Sequence, residues 1–194
     1  MSPKSLAALA AALAATAAQA ETATYSIEPS HTFVTFEVLH FGTSTVRGRF
    51  GKKEGTVKVD RAAKTGSVEL TIDTTSIDTG VPPFDAHLKK KDFLGVEEHP
   101  TARFVGDRFR FDGEKVAEVG GTLTLLGKSQ PVTLKAVNYS CYDHPMLKRE
   151  VCGGDFETTI QRSQYGMTYG LPRIPDTVRL VIQVEAVRQE VPQQ

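Results

Sequence analysis

Tryptophan is missing from the 194-residue sequence, cysteine occurs only twice, and neither charge sign is in excess, with 23 Lys+Arg against 23 Asp+Glu. Balanced, well-mixed charge leaves no basic stripe on which a phosphate backbone could be read, which argues against nucleic acid as a partner. A hydrophobic share of 40% is too high for a disordered chain. Past the N-terminal segment there is no run of about 18 apolar residues, so stable membrane insertion through a helix is not expected.

Recognisable catalytic motifs are also missing. Gly127-Lys128-Ser129 resembles the end of a phosphate-binding loop, but the glycine required five positions earlier is Thr122. The tripeptide therefore reads as a hairpin turn. There is no G-x-S-x-G nucleophile elbow and no G-x-G-x-x-G dinucleotide loop. The five histidines (His31, His40, His87, His99 and His144) show no metal-ligand spacing. His31 and His40 are an odd number of residues apart, which puts them on opposite faces of an unbulged strand. No metal and no cofactor is expected. The one acid–base arrangement the residues offer is His31 with Glu28 or Glu37; its alternative is a histidine that fixes a turn.

The N-terminus reads as an export signal. Lys4 is followed by an apolar stretch from Leu6 to Ala18, and Ala18-Gln19-Ala20 is a small-x-small cleavage pattern. An Ala-rich surface helix is the alternative, but the stretch has no polar stripe. The reading is a signal peptide over 1–20 and a single domain over 21–194, exported and soluble. Cys141 and Cys152 suit an oxidising compartment as a disulfide, which would stabilise the fold by roughly 3 kcal/mol. A metal or redox pair is the other reading.

From Thr24 onward the pattern has period two. Val68, Leu70 and Ile72 alternate with Glu69, Thr71 and Asp73; Phe109 and Phe111 with Arg108 and Arg110; Leu123 and Leu125 with Thr122 and Thr124; Leu180 and Ile182 with Arg179 and Gln183. This spacing predicts half-buried strands separated by Gly- and Asp-rich turns. The expected fold is all-β, an antiparallel barrel or sandwich of about eight or more strands. One segment departs from the pattern. Pro82-Pro83 at the front and Gly95 behind bracket a short helix over about 84–94, whose inward edge carries Phe84, His87, Leu88 and Leu94.

Several ordered motifs run from Tyr25 to about Val187. They are Tyr25-Ser26-Ile27-Glu28-Pro29-Ser30-His31, Val34-x-Phe36, His40-Phe41-Gly42 and Gly48-Arg49-Phe50, then Ser76-Ile77-Asp78-Thr79 and Phe84-Asp85-Ala86-His87-Leu88 through Asp92-Phe93-Leu94. His99-Pro100-Thr101-Ala102-Arg103-Phe104, Gly121 to Gly127 with Pro131-Val132-Thr133-Leu134, and Arg162-Ser163-Gln164-Tyr165-Gly166-Met167 complete them. Together they resemble the YceI-like, polyisoprenoid-binding family. Phe41 departs from the smaller aliphatic residue of many members, and the two-cysteine loop from Tyr142 to Gly153 lies outside the common pattern.

The resemblance implies a lipocalin-like antiparallel barrel with a helix at one end, a periplasmic location, and an interior that holds a polyprenyl quinone or phenol or a similar fatty amphiphile. Capture of such a tail needs only dry apolar walls, since each Å² removed from water is worth about 25 cal/mol. On this reading the lining candidates are Phe36, Val38, Leu70, Phe104, Phe109, Leu123, Leu125, Tyr165, Met167 and Ile182. His31, Arg162 and Tyr165 are the candidates for head-group contact. An exposed tunnel mouth would favour a homodimer. Two other functions remain open: an enzyme for a small apolar substrate with His31 as acid/base, and a filled barrel that works through its surface as a protein-interaction module.

Overall fold

The computed structural model describes residues 22–190, so the expected signal peptide lies outside the described residues. Eleven strands form one antiparallel sheet: β1 (Ala23–Ile27), β2 (Phe33–His40), β3 (Ser44–Phe50), β4 (Lys53–Asp60), β5 (Thr65–Asp73), β6 (Ile77–Asp78), β7 (Thr101–Asp112), β8 (Lys115–Leu125), β9 (Lys128–Asp143), β10 (Glu150–Gln161) and β11 (Thr177–Arg188). Because β1 pairs with both β4 and β11, eight of them (β1, β4, β5 and β7 to β11) close into a barrel. Closure leaves those strands without a free edge.

β1 and β2 run in line along the same side of β11. Ile27 lies opposite Ala186 and Phe33 opposite Gln183, with Glu28 to Thr32 looping out between. The line then divides. β1 continues the ring through β4, while β2 leads into β3 and the short β6, which stand away from β4. At this end the wall is completed by the helix α1 (Pro82–Leu88) and the segments that follow it.

The helix is shorter than the 84–94 expected. Pro82 and Pro83 occupy its first turn, where a missing N–H costs nothing, and it ends at Leu88 with Lys89 as its C-cap. Beyond it the chain folds into turns rather than helix: Leu94 N–H donates to the Leu88 carbonyl and Val96 N–H to the Lys89 carbonyl. Asp85 anchors the front of the helix by accepting from the N–H (2.8 Å) and hydroxyl (2.6 Å) of Thr79.

The period-two pattern sorts the faces as expected. On β2, Phe36, Val38 and His40 point inward, whereas Phe33 lies outside beneath the cations of Arg49 and Lys53. Phe41 is not part of the strand. It takes a left-handed φ of 48° in the β2–β3 turn and stays 54% exposed.

Candidate functional site

The barrel is hollow at both ends and packed at its waist. An upper compartment of about 370 Å³ lies beneath α1, and a lower one of about 100 Å³ lies toward the opposite end. No residue lines both. On β2, Val34 falls between Thr32 of the lower compartment and Phe36 of the upper; on β8, Leu123 falls between Val119 and Leu125. Val34, Leu123 and Ile72 are buried and line neither, so they form the partition.

The upper walls are almost wholly apolar. Phe36, Val38, Val46 and Phe50 come from the β2–β3 hairpin, Leu125, Ile160 and Leu180 from the ring, and Phe84, His87 and Leu88 from the roof. The roof is an aromatic cluster centred on His87, whose ring centroid is 4.8 Å from Phe93, 6.1 Å from Tyr169 and 6.3 Å from Phe84. The polar side chains that reach the chamber are His40, His87, Arg162 and Tyr169.

Arg162 lines this chamber, but its donors are committed elsewhere. Nε donates to the Pro175 carbonyl (3.0 Å), Nη1 to that of Met167 (2.9 Å) and Nη2 to that of Ile174 (3.1 Å). Burial holds its pKa below the ordinary arginine value, with Asp176 opposing. Asp176 in turn accepts from the N–H and hydroxyl of Ser163 at 2.7 and 2.6 Å. The Arg162-Ser163-Gln164-Tyr165 turn thus folds the 162–176 loop against the chamber, which places Met167, Tyr169 and Ile174 in its wall. The sequence marks this motif without revealing that its arginine works as a clamp on backbone carbonyls.

The other sequence candidates divide among several places. Phe36, Val38, Leu125 and Met167 line the upper compartment; Leu70, Phe104, Phe109 and Ile182 line the lower; Leu123 sits in the partition. Tyr165 is 1% exposed, lines neither compartment, and its hydroxyl has no partner within the protein. Burial pushes that phenol up to about 12. His31 is not brought to the interior. It lies in the β1–β2 loop, its side chain 65% exposed and its Nδ1 2.7 Å from Glu28. It borders a polar groove on the outer face, with Asp155 and Glu185. A His31-centred site for an apolar substrate therefore has no apolar pocket beside it, and the filled-barrel alternative does not fit two hollow ends.

Cys141 and Cys152 lie directly opposite each other on β9 and β10 and form a disulfide. Arg61 Nη2 reaches both sulfurs (3.1 and 2.9 Å) and also donates to Glu150 at 2.6 Å. Tyr25 donates to the same carboxylate oxygen at 2.5 Å. This polar cluster closes the lower end, and it is the nearest approach to a ligand set for a metal among the described residues; its sulfurs are already joined to each other.

Sequence reasoning missed Val46, Phe50, the roof aromatics and Tyr169 as lining. The inward edge of the helix was the one signal for the roof; nothing local marks Tyr169, which reaches the chamber only because Arg162 folds its loop.

A closed antiparallel barrel with an apolar-walled chamber under a helix at one end is of lipocalin-like build, an architecture with room for a small ligand. Residues 25–186 match the family model of the YceI-like domain, and the chain belongs to that family. It is 36% identical over 193 residues to a UPF0312 protein of Pseudomonas aeruginosa (97% of this chain, 100% of that one). It is 35% identical over 183 residues to Protein YceI of Escherichia coli O157:H7 (93% and 95%). Among solved structures, Burkholderia cenocepacia BcnA superposes with a TM-score of 0.68 at 24% identity, covering 82% of this chain and 98% of that one. A polyisoprenoid binding domain from Saccharophagus degradans gives 0.61 at 16% identity, covering 85% and 98%.

Proposed function

We propose that this protein is a periplasmic, non-enzymatic carrier that sequesters the tail of an isoprenoid lipid, such as a polyprenyl quinone or phenol, in its upper compartment. The observation that carries the reading is the chamber of about 370 Å³ walled by Phe36, Val38, Phe50, Phe84 and Leu180. Membership of the YceI-like family and the fold shared with a polyisoprenoid binding domain support it, as does the export-type N-terminus.

At the ~30 Å³ that a water-sized group occupies in a liquid, the chamber holds about twelve such groups, or about two or three five-carbon units. A longer tail enters the lower compartment only if Val34 and Leu123 give way. The chamber therefore suits the end of a long chain, with the rest threading the displaced partition or leaving past Phe41 and Tyr169.

Organic extraction of natively purified protein, followed by mass spectrometry, should release one long-chain lipid per barrel. Stripped protein should take up a polyprenyl quinone, and Leu180→Trp, which fills the upper chamber, should block that uptake. A clean extract together with no uptake would overturn the reading. Cell fractionation with N-terminal sequencing tests location: a mature chain beginning at Glu21 in the periplasmic fraction is the expected result.

A further inference from the structure

The connection between β9 and β10 is short, well braced and apolar at its apex. Met146 is 82% exposed, Leu147 42% and the adjacent Tyr142 46%. Apolar side chains at a loop tip are usually mobile or folded back, but here the backbone holds them outward. His144 N–H donates to the Arg149 carbonyl, and Lys148 N–H donates to that of His144, both at 2.9 Å. His144 Nδ1 accepts from the N–H groups of both Met146 and Leu147 at 3.2 Å. The Cys141–Cys152 disulfide clamps the base.

The charge beside this apex has one dominant sign. Lys148 and Arg149 follow Leu147, and neither enters an ion pair among the described residues. The Glu150 carboxylate is taken by Arg61 and Tyr25. Asp143 is the acid on the tip itself, and Glu185 stands behind it on the barrel wall, accepting from the Tyr142 hydroxyl at 3.1 Å. An exposed aliphatic pair flanked by cations, with a tyrosine ring behind, matches the depth order of a bilayer boundary: acyl chains, anionic headgroups, then the interfacial layer. A second copy of the chain is a poorer fit, because two or three side chains at a tip fall far short of the ~800 Å² per partner of a stable interface.

We propose that the β9–β10 tip is a membrane-docking element for bilayers bearing anionic headgroups. Met146 and Leu147 enter the acyl boundary, Lys148 and Arg149 contact the headgroups, and the barrel is held at the surface. That the surface is where its cargo is exchanged rests on the carrier reading above; the docking itself does not.

The test is flotation of the full mature chain with vesicles of phosphatidylcholine alone and of equal parts phosphatidylcholine and phosphatidylglycerol. The wild type should float with the anionic vesicles, more weakly with the neutral ones, and less as salt is raised. M146S/L147S should lower the partition coefficient at least tenfold. K148Q/R149Q should lower it roughly tenfold on anionic vesicles alone. Met146, Leu147 and Lys148 are exposed and Arg149 is half-buried at the rim of the tip; both variants should keep the wild-type melting curve and quinone uptake. Failure of wild-type flotation, or flotation unaffected by both variants, would overturn the proposal. So would concentration-dependent self-association in ultracentrifugation that M146S/L147S abolishes while vesicles go unbound. Flotation that follows the variants in a protein that takes up no quinone would sustain docking and sink the carrier reading instead.

Discussion

Gly48 of β3 lies directly across from Phe36 of β2, and a Cβ on Gly48 would stand 2.6 Å from two carbons of the Phe36 ring and 2.8 Å from the Thr79 methyl. The ring is laid over the glycine, which lets a large aromatic line the upper chamber without filling it. The volume of the site is set in part by the absence of one methyl group.

Gly48→Ala should therefore drive the Phe36 ring off its seat and into the chamber. Overpacking of this kind costs about 1–3 kcal/mol. The expected outcome is a lower melting temperature with reduced quinone capacity, and partial recovery of stability in Gly48→Ala/Phe36→Leu. An alanine variant that melts like the wild type would show that the ring yields freely.

Arg162 donates to three carbonyls from one guanidinium, so Arg162→Met should leave the carbonyls of Pro175, Met167 and Ile174 without these donors. The Met167 bond is buried and the other two are part-buried. At about 1–3 kcal/mol for an unpaired buried group, with smaller costs at the other two, the loss should be about 3 kcal/mol. Arg162→Lys should recover little of it, because a single ammonium cannot span the fork. Hydrogen exchange across 163–176 reads the change directly. Normal melting with selective loss of lipid binding would make the arginine a head-group ligand instead.

The Tyr165 hydroxyl is buried without a partner. In ligand-free protein Tyr165→Phe should keep or raise stability, by up to about 1–3 kcal/mol, since it deletes an unsatisfied group while preserving the ring. Denaturant melts of stripped protein measure this. Destabilisation would mean that the hydroxyl is satisfied in solution, for instance by a buried water.

Partial burial raises the Glu28 pKa, but hydrogen bonds from the hydroxyl and N–H of Ser30 and from the ring and N–H of His31 outweigh it and hold the carboxyl at about 2, against an ordinary 4.5. A lowered folded-state pKa contributes stability that is present above about pH 4.5 and is lost as pH falls toward about 2. Glu28→Gln should flatten the acid limb of the stability profile in that window, as urea midpoints at stepped pH would show. Quinone uptake at neutral pH should stay at the wild-type level, because this pair touches neither compartment.

Much of the wall was legible from residue order. Alternation in Val68-Leu70-Ile72 or Leu180-Ile182 needs only the two-residue repeat of a strand, and the structure returns those side chains to the interior. The double proline and the apolar edge of Phe84, His87 and Leu88 foretold a roof helix, though not its stop at Leu88, which depends on turn hydrogen bonds after Lys89. His31, a head-group candidate by residue type, lies outside both compartments, because residue type carries no information about which side of a closed wall a loop will take.

By itself the sequence determined which side chains alternate inward and where the strands turn, since these follow from backbone periodicity and local turn chemistry. It offered Cys141 and Cys152 as a pair, and the register of β9 against β10 set them opposite each other. Only the tertiary structure decided that β1 would close the ring against both β4 and β11, and that Val34, Ile72 and Leu123 would divide the interior. It alone placed Tyr169 and Ile174 in the same chamber wall as Phe36. Those outcomes depend on the barrel's diameter and on which distant loops dock at its ends. Both are sums over long-range contacts that no short window of residues contains.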